Sequence, residues 1–336
     1  MKNILSGLLV LFLVCFVSLV FIGCESGEVV QDQVQDQEDA ETETGRPHPL
    51  RISSGPSTGV WYPAAVALET LWEGKVDNID SMALNTPGAY TNLNNVIDGN
   101  AEIAFSGPQA TGHAYNGNGP YDEPHPDLRV LTGIAESCMQ VLVQEEIETV
   151  SDLKNTTVAI GTPGSSRRFH TITVLKSFGL EPGVDVNDDP TAGDVVSEGF
   201  RDGTISATLA YGIGNPQISE LMMTTNGHLL HFTEEDIERM REIDPSLYLS
   251  EIPAGTYSGQ DEPVPTLFYV EQLVVHKDFP EDLAYELVKA FWENTELLAS
   301  NAVLFTNVLP EHATKMVSIP LHPGSEKYFK EQGMIN

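Results

Sequence analysis

Basic residues are scarce in this chain. Seventeen Lys and Arg stand against 49 Asp and Glu, a formal net charge of -32 over 336 residues. Nucleic-acid binding needs a cationic footprint, which this balance excludes. Such an acidic surface stays soluble through self-repulsion that dissolved salt screens, so composition points to a saline medium. Cysteine is equally sparse. Of the three, Cys15 and Cys24 lie in or at the end of an N-terminal apolar run, which leaves Cys138 alone and no intrachain disulfide framework. His48, His113 and His125 stand singly, without the spacing of metal ligands. No G-x-x-x-x-G-K-[ST] loop is present, so nucleotide hydrolysis has no support. The expectation is a chain without cofactor or metal.

Long hydrophobic runs are also rare: one occurs, over residues 4–22, with Lys2 as the only charge before it. Its length suffices to span a bilayer. Its end, Phe21-Ile22-Gly23-Cys24, resembles a bacterial lipobox, in which a small residue precedes a cysteine that becomes lipidated and N-terminal. Residues 1–23 are therefore expected to be a lipoprotein signal peptide, Cys24 the lipidation site, and the remainder extracytoplasmic. Residues 24–49 are rich in Gln, Asp and Glu and poor in apolar side chains. Too little surface can be buried there to offset ordering entropy, which predicts a disordered acidic tether.

The stretch that organises the rest is residues 50–72, LRISSGPSTGVWYPAAVALETLW. A short apolar strand runs into a Gly/Ser turn, and a helix opens at residues 60–63. Helix N-termini present unsatisfied N–H groups and the positive end of a dipole, so such a turn can hold a carboxylate or phosphate. The same logic recurs at residues 157–178, where strand 157–160 leads through Gly161-Thr162-Pro163-Gly164-Ser165-Ser166 to a helix at 167–178. Between and after these units strands and helices alternate. Strands are expected at 79–84, 102–105 and 266–276, with 129–135 and 139–144 either two strands or one long one broken at Glu136, and helices at 89–98, 234–243 and 281–300. This alternation predicts an α/β fold with a largely parallel sheet.

With both turns placed, the chain resembles the TAXI family of extracytoplasmic solute receptors that serve TRAP-type transporters. The matching pieces are Ser54-Gly55 through Gly59-Val60-Trp61-Tyr62-Pro63, Thr86-Pro87-Gly88-Ala89-Tyr90-Thr91-Asn92-Leu93, Val150-Ser151-Asp152-Leu153 with Val158-Ala159-Ile160-Gly161-Thr162-Pro163-Gly164-Ser165, Ile252-Pro253-Ala254-Gly255-Thr256-Tyr257-Ser258-Gly259, and Ala284-Tyr285-Glu286-Leu287-Val288-Lys289-Ala290. The resemblance implies a bilobal, type II periplasmic-binding-protein fold. Lobe I would comprise residues 50–136 plus 264–336 and lobe II residues 137–263, with hinge strands near 135–143 and 263–270. It also implies a small organic acid as ligand, a dicarboxylate or an amino acid such as glutamate or 2-oxoglutarate, delivered to an ion-gradient-driven membrane permease. The chain departs from the family in having Ser106-Gly107-Pro108-Gln109 after the third strand and Ser166-Arg167-Arg168 after the second glycine turn.

The candidate binding residues follow. Gly55, Ser57 and Thr58 form the first cradle; Gly164, Ser165 and Ser166 form the second. Tyr62 either walls the ligand or packs with Trp61. Asn92 offers an amide or caps a helix, and Ser106 and Gln109 open a further helix. Arg167 and Arg168 carry planar forks suited to carboxylates, and one of them facing inward gives the second lobe a direct hold on an anion. Glu136, near the hinge, either takes a ligand ammonium or bonds the hinge. Gly55-Pro56-Ser57-Thr58-Gly59 fits G-x-S-x-G, so a serine hydrolase using Ser57 with His228, His231 or His276 is the enzymatic alternative. That elbow normally follows several strands, and here it opens the fold, which argues against an enzyme. A receptor serving a sensor rather than a transporter is the remaining alternative.

Overall fold

A computed structural model describes residues 47–336 except 58, 164 and 316. The signal peptide, Cys24 and most of the tether lie outside the described residues, as do Thr58 and Gly164. The last tether positions do not: His48 and Pro49 already belong to the first strand, β1 (His48–Ser53), which pairs in parallel with β2 (Ile79–Leu84). Leu50 and Ile52 fix that register by burying the same strand face completely.

The first half of the chain continues with α1 (Trp61–Lys75), α2 (Ala89–Ile97), β3 (Ile103–Ser106) and α3 (Pro108–Asn116). A long strand β4 (Leu128–Val143) follows. Then come β5 (Thr157–Ala159), α4 (Ser166–Ser177), β6 (Asn187–Asp189), α5 (Asp194–Arg201), β7 (Ala207–Tyr211), α6 (Pro216–Thr224), β8 (His228–Leu229), α7 (Glu234–Arg241) and β9 (Tyr248–Ile252). A second long strand, β10 (Val264–His276), leads to α8 (Glu281–Trp292), α9 (Thr295–Asn301) and α10 (Pro323–Glu331). Residues 128–143 thus form one strand rather than two: Glu136 stays in register opposite Val270, and the ladder to β10 skips a β4 residue only at Ile134 and at Leu131. The helix expected over 281–300 breaks into two at Asn294.

The strands form one sheet in the order β2-β1-β3-β10-β4-β7-β5-β6, with β8 beside β4 and β9 beside β10. It is mixed rather than largely parallel. The outer strands pair in parallel (β1 with β2 and β3, β5 with β6 and β7), whereas β10 and β4 run antiparallel to each other and to their neighbours β3 and β7. These two central strands are apolar almost throughout because both their faces are covered. Along β4, Leu131 and Ile134 enter a core with Trp72, Phe291 and Phe329, and Leu128 and Val130 enter another with Leu93 and Ala114. Farther along, Met139 and Val141 join Val158, Val174 and Leu209, while Cys138 and Leu142 join Phe200 and Ile218. Each half of the sheet is therefore sandwiched by its own helices, and β4 and β10 are shared by both halves. No helix among the described residues is long and apolar enough to cross a membrane.

Candidate functional site

Strands β1, β2 and β3 end side by side, and each turns into a helix there. The first turn is fastened to the second: Ser54 donates from both N and Oγ to the Leu84 carbonyl, and Thr86 N donates to the Gly55 carbonyl. Asn92 lies beneath them, fully buried. Its Oδ1 accepts from Ser53 Oγ at 3.1 Å and Thr86 Oγ1 at 2.5 Å, and its Nδ2 donates to the carbonyls of Ser54 and Phe105. Asn92 thus locks the three turns together, and its amide is fully occupied in doing so. Ser106 is likewise buried, donating to the Gly107 carbonyl and accepting from Thr111 Oγ1. Gly55 is buried, Ser57 is exposed at the tip of the turn, and Tyr62 is half-buried in the first turn of α1. Among the described residues no side chain caps α1, α2 or α3, which leaves their leading N–H groups available.

In the other half, β5 and β7 also end in turns. Gly161 holds φ +86°, a region open to glycine, and a Cβ placed there would come within 3.1 Å of the Arg167 stem and Ser165 Oγ, tighter than ordinary contact. Ser165 caps α4 by accepting from Arg168 N at 3.3 Å and donates its hydroxyl to the Thr162 carbonyl. Ser166 is the first helical residue, half-buried. The two arginines then part company. Arg168 reaches Asp188 on β6 at 3.5 Å. Arg167 meets no carboxylate within ion-pair distance among the described residues, and its Nη1 is buried without a hydrogen-bond partner. Burial pushes its pKa below the usual guanidinium value, with the neighbouring Tyr211 opposing.

Contacts draw the two sets of turns together around β10. Gln109 on α3 donates to Thr173 on α4 at 3.0 Å. Phe169 on α4 packs on Tyr90 of α2 (ring centroids 4.8 Å) and His113 of α3 (5.4 Å). Tyr269 of β10 lies against Gly107 on one side and against His170 (5.5 Å) and Tyr211 (6.4 Å) on the other. His170 Nδ1 shares a hydrogen bond with Tyr211 Oη at 2.8 Å, and its Nε2 lies 3.9 Å from Asp244 Oδ2. Burial lowers the His170 pKa to about 3 and raises that of Asp244, so the pair is not an ion pair at neutral pH. Two residues along β10, Glu271 is 3% exposed; Tyr269 Oη donates to its Oε1 at 3.1 Å, and Oε2 makes no hydrogen bond. Burial raises its pKa to about 8, against the opposing influence of Tyr269, Ser137 and Trp61.

Of the residues singled out from sequence, Gln109 and Arg167 lie in this convergence. Arg168 is paired elsewhere, and Asn92 and Ser106 act within the framework of the turns. Glu136 takes the structural role: it accepts from Tyr248 Oη at 2.6 Å and Lys315 Nζ at 3.1 Å. Ser57 has no hydrogen bond to any histidine among the described residues, and His276 pairs instead with Asp127 and Asp278. Tyr211, Tyr269, Glu271, His170 and Asp244 were not anticipated. Two signals were present: Glu271 is an isolated acid within an apolar strand, and Tyr211 precedes a Gly-Ile-Gly-Asn-Pro turn whose Gly212 and Gly214 hold φ +81° and +72°. A surface groove of about 320 Å³, lined by His48, Glu102, His276 and Asp278, lies at the other ends of β1 and β10.

Two α/β halves, shared central strands and a polar convergence between helix-leading turns define the type II periplasmic-binding-protein fold. The chain belongs to the NMT1-like family, whose model matches residues 52–333. Among solved structures it is similar to XAC2383 from Xanthomonas citri bound to ATP, at TM-score 0.51 and 11% identity over 85% of this chain and 96% of that one. A protein from Bordetella bronchiseptica RB50 matches at TM-score 0.51 and 14% identity, over 85% and 98%. At these identities the likeness concerns the fold alone. The periplasmic aliphatic sulphonate binding protein SsuA from Escherichia coli matches at TM-score 0.49 and 16% identity, over 84% and 83%.

Proposed function

We propose that this protein is an extracytoplasmic solute-binding receptor that captures a small organic acid between two lobes. The observation that carries the reading is Arg167: a guanidinium with a buried, unpartnered Nη1 in a chain of net charge -32. Burying an uncompensated cation is costly, and carboxylates outnumber cations so heavily that leaving one unpaired calls for a reason. An anionic ligand supplies it, helped by the uncapped N-termini of α1, α2 and α3. The lobes are residues 50–136 with 264–336, and 137–263; β4 and β10 are the hinge strands, and closure brings α4 onto α2 and α3. In keeping with the resemblance to TAXI receptors, the acid passes to a TRAP-type permease, and Cys24 carries the lipid that holds the receptor at the membrane. The protein is not an enzyme in this reading, and Ser57 is part of the anion-binding turn.

Isothermal titration with a panel of organic acids, after native mass spectrometry of freshly purified protein to reveal any retained ligand, tests the proposal. A charge-assisted hydrogen bond is worth about 1.5–3 kcal/mol, so Arg167→Ala is expected to weaken acid binding roughly ten- to a hundredfold. Binding of neutral sugars or cations alone contradicts the reading. Measurable turnover of a simple ester that disappears in Ser57→Ala contradicts it as well.

A further inference from the structure

Glu136 stands on β4 where one core gives way to the next. Two residues before it, Ile134 enters the core of Trp72 and Phe291; two residues after it, Cys138 enters that of Phe200. Its cross-strand partner is Val270, whereas Ser137 pairs with Tyr269 of the convergence. Successive strand residues point to opposite faces, so Glu136 lies behind the sheet as seen from that convergence. Three segments meet there. Tyr248, on β9 and in the Phe200 core, donates its hydroxyl to Glu136 Oε1 at 2.6 Å. Lys315, which follows a short helical turn at Pro310–Ala313, donates to the same oxygen at 3.1 Å and lies 4.0 Å from the centre of the Tyr248 ring. That turn belongs to the first half of the sheet. Ala313 enters the Trp72 core, and the His312 carbonyl sits so close to Gly133 of β4 that a Cβ on the glycine would overlap it. Beside Gly133 the ladder to β10 skips Ile134, and such a bulge bends its strand where the cluster spans it.

Resting on the reading of β4 and β10 as hinge strands, we propose that Glu136, Lys315 and Tyr248 form a latch behind the hinge that favours the closed arrangement before any ligand arrives. The lysine comes from the first half, the tyrosine from the second, and the carboxylate from the strand between them. Contacts of 2.6, 3.1 and 4.0 Å among three such segments fit together at one hinge angle. That angle is the one at which Gln109 meets Thr173, and Phe169 meets Tyr90 and His113, across the front. His312 completes the device. Its Nδ1 accepts from Leu309 N at 3.2 Å, so the ring proton sits on Nε2, which is buried without a hydrogen-bond partner 3.6 Å from the same Glu136 oxygen. When the lysine withdraws, a donor stays beside the carboxylate, so the latch opens without stranding a partly buried charge. A receptor that spends more of its time in the binding-competent form binds more tightly by that fraction, with no added contact to the ligand.

The test is a distance measurement between the halves of the ligand-free full chain by double electron–electron resonance. Spin labels are attached through a non-cysteine handle at exposed Asp122 in the loop after α3 and at Val184, 80% exposed, ahead of β6. Wild type is expected to populate mainly the short separation of the closed arrangement. Lys315→Met keeps the side-chain stem and removes the charge, and is expected to raise the ratio of long to short separations about three- to tenfold. That is the range for one cation–π contact together with one partly exposed ion pair. Tyr248→Phe, which keeps the ring and loses the hydroxyl, is expected to shift the ratio the same way and serves if the lysine variant does not fold. An unchanged distribution in a folded variant, a shift toward shorter separations, or a wild type already held apart overturns the latch. No ligand enters this measurement. Its failure sinks the latch alone, and the titrations with organic acids judge the receptor reading separately.

Discussion

Adjacent arginines with the same chemistry have different fates here, and the difference is a matter of helix phase. Ser165 caps α4 through Arg168 N, which sets the rotation of the first turn. One residue is about 100° of helix, so Arg168 swings to Asp188 while Arg167 turns inward. Arg168→Ala should therefore leave acid affinity within about twofold of wild type, since exposed or partly exposed pairs contribute little, and titration of the two alanine variants side by side checks it. Glu271 yields a pH prediction. Its pKa stands raised in the fold, from 4.5 to about 8, so the folded protein holds that proton to higher pH than the unfolded chain does. The associated stability is fully present below pH 4.5 and is lost as pH rises toward 8. In melting experiments on ligand-free protein the wild-type midpoint should fall more steeply between pH 5 and 8 than that of Glu271→Gln. Parallel curves would contradict this. The sequence displayed both arginines but not the partner that separates them, because Asp188 comes from another strand. Tyr211 and Tyr269 were hidden for the same reason, since they meet only across the fold.

The elements were more legible than the residues. Hydrophobic period and the Gly/Ser turns place β1, α1, β2, α2 and α4 to within a residue or two, because each carries its own local signal. What local signals lack is pairing. The central strands are apolar on both faces, which reads equally well as parallel or antiparallel, and the sheet proves mixed. A single helix over 281–300 was the natural reading of an apolar stripe; Asn294 ends the first segment, and α9 sets off from it. At this scale two outcomes are expected. Trp72 is buried between α1 and α8, its indole N–H donating to the Leu287 carbonyl at 3.1 Å, so Trp72→Ala should cost about 3–5 kcal/mol in denaturant unfolding. Phe169 joins α4 to α2 and α3 through Tyr90 and His113. Aromatic pairs contribute about 0.5–1.5 kcal/mol, so Phe169→Ala should speed ligand dissociation by about two- to tenfold in stopped-flow measurements. An unchanged dissociation rate would mean that this contact does not belong to closure.

For the whole molecule the governing fact is charge. A net charge of -32 repels an approaching anion over roughly a Debye length, about 10 Å at 0.1 M salt, so association must rely on donors close to the site. Added salt should accordingly speed acid capture, the reverse of electrostatic steering, and rapid-mixing kinetics across ionic strength measure it. Once a ligand is seated, a guanidinium in a water-poor cleft is screened much less than the surface is. The account stands or falls on that guanidinium. The most direct measurement is calorimetric titration of wild type and Arg167→Ala, from one preparation stripped of retained ligand, with the tightest-binding organic acid of the panel. The account predicts one site per chain in the wild type and a roughly ten- to a hundredfold loss in a folded Arg167→Ala variant. Equal affinity in the two proteins, or no acid bound by the wild type, contradicts it.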